Sequence, residues 1–172
     1  KLGETLTSGV AIDVGTKTCQ LIETYEGDHP TPTEANVKAS EHVVELADSV
    51  GSGDLVLVAV SGGGSSLLCW PASECEQSQN LYDSFLSAGG TITELNTVRK
   101  HLSQLKGGGL AERLHPAKVV GLIFSDVPGG ELSDVASGPT FFDGSTVADA
   151  EAILKKYGIE EKFTFFQTPK DK

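Results

Sequence analysis

Leu55-Val56-Leu57-Val58-Ala59-Val60 is an unbroken apolar run with no polar residue alternating through it. Such a run reads as a central strand covered on both faces, the usual situation in a parallel sheet. A second run, Val119-Val120-Gly121-Leu122-Ile123-Phe124, follows helical patterns at Leu81 to Ala88 and from Glu94 into the 110s. Parallel neighbours need a crossover connection, and the intervening helices supply one, so the order is β-α-β. The fold class expected is α/β, with a mostly parallel sheet and helices on both faces.

The flanking segments fit that scheme. Short strands are expected at Gly9 to Asp13 and at Gln20 to Thr24, around a turn containing Gly15. Pro30 and Pro32 stiffen the turn from Asp28 to Thr33 and keep the residues before them out of helical geometry. A helix is then expected from Glu34 to Val50, because Val37, Val44, Ala47 and Val50 recur at helical spacing and Gly51-Ser52-Gly53 ends the pattern. The last helix runs from about Thr146 to Tyr157, opened by a capping box between Thr146 and Asp149 and closed by Gly158. Residues 1–160 are read as the domain and 161–172 as a connector or the start of a further segment.

The 172 residues allow one domain with a hydrophobic core, and a formal charge of -11 disfavours binding to a nucleic-acid backbone. A small anionic ligand remains compatible with a local cationic cluster. Cys19, Cys69 and Cys75 are too few and too irregular for a disulfide framework or a zinc site, so reduced thiols and a cytoplasmic location are expected. No apolar run is long enough for a membrane helix. The sequence contains no methionine, which reads as part of a longer protein. A homo-oligomer is compatible with the sequence.

Three segments carry candidate chemistry. Ser61-Gly62-Gly63-Gly64-Ser65-Ser66 leaves the first apolar strand at its carboxyl end, where open α/β sheets bind ligands. Its glycines leave backbone N–H groups free to meet a phosphate or carboxylate. The alternative is a flexible turn, since neither nucleotide-binding glycine fingerprint is matched. Asn96-Thr97-Val98-Arg99-Lys100-His101-Leu102-Ser103 and the following Lys106 concentrate cations in an acidic chain, with Asn96, Arg99, Ser103 and Lys106 sharing one helical face. They form either an anion site or a solvated basic face. Asp126 follows the second strand and Ser137 lies just beyond it. A carboxylate there can orient a hydroxyl, accept its proton or hold Mg²⁺, or it can simply cap the turn. His29, beside Pro30, either binds a carboxylate or locks its turn.

In order and spacing, six segments resemble the N-terminal domain of class II glycerate kinases, the family with a C-terminal MOFRL domain. They are His29-Pro30-Thr31-Pro32, Ser61 to Ser65, Glu94 to Ser103, Lys106-Gly107-Gly108, Ser125-Asp126-Val127-Pro128-Gly129 and Ala136-Ser137-Gly138-Pro139-Thr140. The resemblance extends from about Gly27 to Tyr157. It implies a Rossmann-like domain of a two-domain enzyme that phosphorylates D-glycerate to 2-phosphoglycerate with ATP and Mg²⁺, glycerate and nucleotide meeting in the cleft between domains. Asp126 and Lys100 would be catalytic. His29, Ser61, Gly62, Gly63, Gly64, Ser65, Asn96, Arg99, Lys106 and Ser137 would bind substrate or phosphate, and no protein-held metal site is expected. The sequence departs from the family at Gly130, where an acidic residue is usual and Glu131 follows. A lysine-bearing segment and the C-terminal domain with its arginine find no counterpart, so the chain alone is expected to be inactive. A hydroxypyruvate reductase-like oxidoreductase and a non-catalytic domain retaining the fold are the alternatives.

Overall fold

In the computed structural model, which describes residues 5–15, 17, 19–125 and 131–170, both strand pairs are parallel. β1 (Val10–Asp13) lies beside β2 (Glu23–Glu26), and β3 (Leu55–Ser61) lies beside β4 (Lys118–Phe124) with Leu55 opposite Lys118 and Ser61 opposite Phe124. The helices are α1 (Glu34–Ser49), α2 (Gly64–Leu67), α3 (Ala72–Ser87), α4 (Ile92–Leu102), α5 (Gly109–Arg113) and α6 (Val147–Lys156), with a 3-10 turn at Leu132–Ser137. The α/β class and the crossover between the two apolar strands are therefore as the sequence indicates.

Local chemistry sets most boundaries. Thr33 accepts from the Ala35 N–H while the Asn36 side chain accepts from the Thr33 N–H, a reciprocal cap that starts α1. Thr91 with Glu94, and Thr146 with Asp149, start α4 and α6 in the same way. Some boundaries differ from expectation. β2 begins at Glu23, later than the Gln20 start read from the sequence. α3 begins at Ala72, a full two turns before Leu81, because its first half is polar and shows no apolar period. α4 ends at Leu102; the chain then turns through Gly107 and Gly108, both with positive φ (55° and 91°), before α5. The 110s therefore belong to a separate short helix.

The core has two parts. Leu81 and Phe85 of α3, Leu95, Val98 and Leu102 of α4, and Ala150 and Leu154 of α6 form one cluster. Ala47, Leu105, Leu110 and Leu114 form the other, packed with Val56, Val58 and Val119 against one face of the β3–β4 pair. The opposite face is open among the described residues. Leu57, Val120 and Leu122 are exposed there, and Leu55 and Phe124 are 62% and 63% exposed. The unbroken apolar run thus equips both faces of the strand, and α1 and α5 occupy one of them.

Beyond Glu160 the chain has no helix or strand, yet it is anchored. Phe163 and Phe165 pack on the α3–α4–α6 cluster, and the Phe166 N–H donates to the His101 carbonyl at 2.7 Å. No described helix is long and apolar enough to cross a membrane.

Candidate functional site at the carboxyl ends of the parallel strands

The Ser61–Ser66 loop leaves β3 at the same sheet edge from which the chain leaves β4, since Ser61 pairs with Phe124. Gly63 has φ 80° and caps α2, a conformation that favours glycine. α2 is a single turn of four residues, so little helix dipole is aligned there and the loop's own N–H groups are what an anion could meet. The His29 ring lies over Gly63: a Cβ on that glycine would sit 3.1 Å from ring Cδ2 and 3.2 Å from Nε2. The Asn36 amide ties this turn to the loop, donating to the Asp28 carbonyl at 2.9 Å and to the Ser66 carbonyl at 3.0 Å. Sequence reading missed Asn36. Its signal was the position three residues after Thr33, where a side chain caps the helix.

The Ser137 segment closes the other side. Ser65 Oγ and Ser137 Oγ are 3.0 Å apart, and a Cβ on Gly64 would fall 2.6 Å from the Ala136 Cβ. Ala136 and Ser137 have φ of 51° and 59°, an uncommon left-handed pair for non-glycine residues. Neighbours hold it in place: the Gly107 N–H donates to the Ser137 carbonyl at 3.0 Å and the Gly108 N–H to the Gly138 carbonyl at 2.9 Å. Four of the sequence segments, those of His29, Ser61–Ser65, Lys106–Gly108 and Ser137, therefore converge.

Lys106 itself faces inward. Its side chain is fully buried, with Nζ donating to the Glu74 carboxylate and to the Leu68 carbonyl, the latter at 2.6 Å, while Glu74 Oε2 accepts from the Trp70 N–H at 2.8 Å. Leu68 is the residue on which α2 ends, so this pair fixes the chain leaving the glycine loop. Sequence reading missed Glu74, since nothing local links it to a lysine 32 residues away.

The basic helix divides its charges. Lys100 Nζ is 3.6 Å from Asp143 Oδ1. His101 is fully buried, its Nδ1 2.9 Å from the Phe166 carbonyl and its Nε2 3.1 Å from Ser145 Oγ. Burial pushes the Asp143 carboxyl up, but hydrogen bonds from Ser145 and Thr168 and the charge of Lys100 outweigh it and hold the group below the usual carboxylate range. Lys170 Nζ donates to the carbonyls of Asp143 and Ser145 and to Thr168 Oγ1, completing a latch on the C-terminal segment. Arg99 lies with its guanidinium 5.4 Å from the centre of the Tyr82 ring. Asn96, on the same helical face, is buried. Asp126 lies outside the described residues. Among the described residues no group of three or more His, Cys, Asp or Glu side chains converges as a metal site.

Comparison with known proteins shows the family. The profile described as a domain of unknown function, DUF4147, matches residues 1–165. The chain belongs to the DUF4147 family. The D-glycerate 2-kinase of Thermotoga maritima is 51% identical over 140 residues, covering 80% of this chain and 34% of that protein. A protein of Agrobacterium vitis with the provisional name hydroxypyruvate reductase is 48% identical over 141 residues, 81% of this chain and 32% of its own. The crystal structure of Thermotoga maritima glycerate kinase superposes with a TM-score of 0.87 at 46% identity, covering 94% of this chain and 40% of that one. This DUF4147 chain is thus homologous to class II glycerate kinases and spans about a third of the length of the relatives it matches.

Proposed function

We propose that this DUF4147 chain forms the strand-end half of the active site of a kinase that transfers a phosphoryl group from Mg-ATP to the 2-hydroxyl of D-glycerate. The observation that carries the reading is the convergence of the His29, Ser61–Ser65 and Ser137 segments where β3 and β4 end. That is the place where open parallel sheets hold ligands. The backbone N–H groups of Gly62, Gly63 and Gly64 would meet phosphate oxygens, with the hydroxyls of Ser61, Ser65 and Ser137 and the His29 imidazole at the rim. Asp126, in the stretch leaving β4, would accept the 2-hydroxyl proton as the new O–P bond forms and the bond to ADP breaks. Mg²⁺ would arrive with the nucleotide, which accords with its habit of using one or two carboxylates plus phosphates rather than a protein cage. Binding without turnover is expected of these 172 residues taken alone. A cytoplasmic location, small-molecule partners and a homo-oligomeric form go with the same reading.

Calorimetric titration of the chain with Mg-ATP, D-glycerate and NADH tests this. Saturable binding of Mg-ATP or glycerate that Gly63→Ala weakens is the expected result, because the added methyl is strained at φ 80° and meets the His29 ring. Saturable NADH binding without Mg-ATP binding would transfer the reading to an oxidoreductase.

A further inference from the structure

Cys69 and Cys75 stand on the two sides of the turn that carries the chain from the glycine loop into α3. Cys69 directly follows Leu68, on which α2 ends, and is 1% exposed; Cys75 lies in the first turn of α3 and is half-buried. Both are free thiols. The turn between them is closed, because the Trp70 N–H donates to Glu74 Oε2 at 2.8 Å and so bonds the residue after Cys69 to the residue before Cys75. The Cys69 N–H donates to Ser40 Oγ at 2.9 Å, and the Trp70 carbonyl accepts from the Gln104 N–H at 2.9 Å and from Ser103 Oγ at 3.2 Å, which fixes the backbone on the Cys69 side. Glu74 is itself held by the buried Lys106. Across this ring the two thiols interact directly, side chain to side chain.

A disulfide closes only between cysteines whose side chains are near and face each other. Holding two such thiols together also makes the second step of thiol–disulfide exchange intramolecular. We propose that Cys69 and Cys75 are a reversible disulfide site, which in its oxidised form locks the exit of the glycine loop to α3. The co-reactant is a small-molecule disulfide such as oxidised glutathione. Cys75, the more accessible thiol, gives up its proton and attacks one glutathione sulfur, forming a mixed disulfide and releasing one glutathione thiolate. Cys69 then loses its proton and attacks the Cys75 sulfur, forming the Cys69–Cys75 bond as the mixed one breaks, and the second glutathione leaves. The cysteines are oxidised by two electrons, and the two released glutathiones, once protonated, carry the electrons and protons away. Burial and the nearby Glu74 push the Cys69 thiol up, and burial pushes the Cys75 thiol up as well, so both are protonated at neutral pH and the exchange quickens as pH rises. The site stands on its own geometry and does not rest on the kinase reading.

The test is incubation of the 172-residue chain carrying Cys19→Ser, which removes the exposed third thiol, with oxidised glutathione under native conditions, followed by mass spectrometry without reductant. The expected product is a single chain lighter by two hydrogens. Glu74 lies between the two cysteines, so a glutamate-specific protease should cut there and leave the pieces joined until dithiothreitol is added. In the same background, Cys69→Ser should stop at one glutathione on Cys75, and Cys75→Ser should stay unmodified because the oxidant does not reach Cys69. One unit of added pH should speed formation by roughly tenfold, as expected while both thiols are protonated. Amide exchange at residues 66–70 should slow by about threefold or more in the oxidised chain and recover on reduction. The proposal is overturned by a stable glutathione adduct on Cys75 with Cys69 still free, by cross-links between two chains, by a bond that forms only in urea, or by unchanged exchange at residues 66–70.

Discussion

Replacing Lys106 by methionine removes the ammonium that faces Glu74 and Leu68 and leaves the Glu74 carboxylate buried with only the Trp70 N–H beside it. Both side chains are almost wholly excluded from solvent, 0% and 2% exposed. Breaking such a pair from one side costs about 3–5 kcal/mol, against a total stability of about 5–15 kcal/mol. With a urea dependence of about 2 kcal/mol per molar, the midpoint should fall by about 2 M. The assay is equilibrium urea unfolding of wild type, Lys106→Met, Glu74→Gln and the double variant. Since the double variant buries no lone charge, it should regain part of the loss, with a coupling of at least about 1 kcal/mol. A Lys106→Met variant that loses less than about 1 kcal/mol would refute the reasoning. Should it also weaken anion binding, Lys106 would be a ligand of the site and not an anchor beneath it.

Gly64→Ala should destabilise the chain by about 1–3 kcal/mol through overpacking, because its methyl would meet the Ala136 Cβ at 2.6 Å; thermal unfolding reads the loss. Lys156, Thr91 and Tyr157 depress the Glu94 carboxyl to about 2, below the value of about 4.3 expected unfolded. Its contribution is therefore complete above the unfolded value and disappears as pH falls from about 5 to about 2, and Glu94→Gln should flatten that part of a stability–pH curve. Asp143→Asn removes the charge facing Lys100 and weakens acceptance from Ser145 and Thr168, so amide exchange at residues 164–168 should quicken while that of α1 stays as in wild type.

How much was legible in the sequence depends on the range of the interactions involved. α1 was readable to within a residue because a proline turn, a 3.6-residue apolar period and the Gly51 stop all lie in one short stretch. The β3–β4 pairing was readable because unbroken apolar runs joined by helices leave few other arrangements. The first turns of α3 were not, since Glu74 and Ser78 are buried by contacts made elsewhere in the chain and their polarity hides the helical period. The open face of β3–β4 was equally invisible. An apolar run states that both faces suit burial, and it carries no information about which neighbour supplies each cover.

The candidate site shows the same division at finer grain. Spacing alone puts Arg99, Lys106, Asn96 and Ser103 on one face, which makes them equivalent candidates for an anion. Lys106, however, lies beyond the end of α4 at Leu102, so helical spacing no longer governs it, and it turns inward to Glu74. Lys100 and His101 are drawn to Asp143 and Ser145, which nothing local in the sequence links to α4. Each partner that the fold supplies bears on one of these cations, Glu74 on Lys106 and Asp143 on Lys100. Composition can register a local excess of positive charge, whereas the fold decides which of those charges is already neutralised. That decision rests on Glu74 and Asp143, two carboxylates far from the motif in sequence that stand against Lys106 and Lys100.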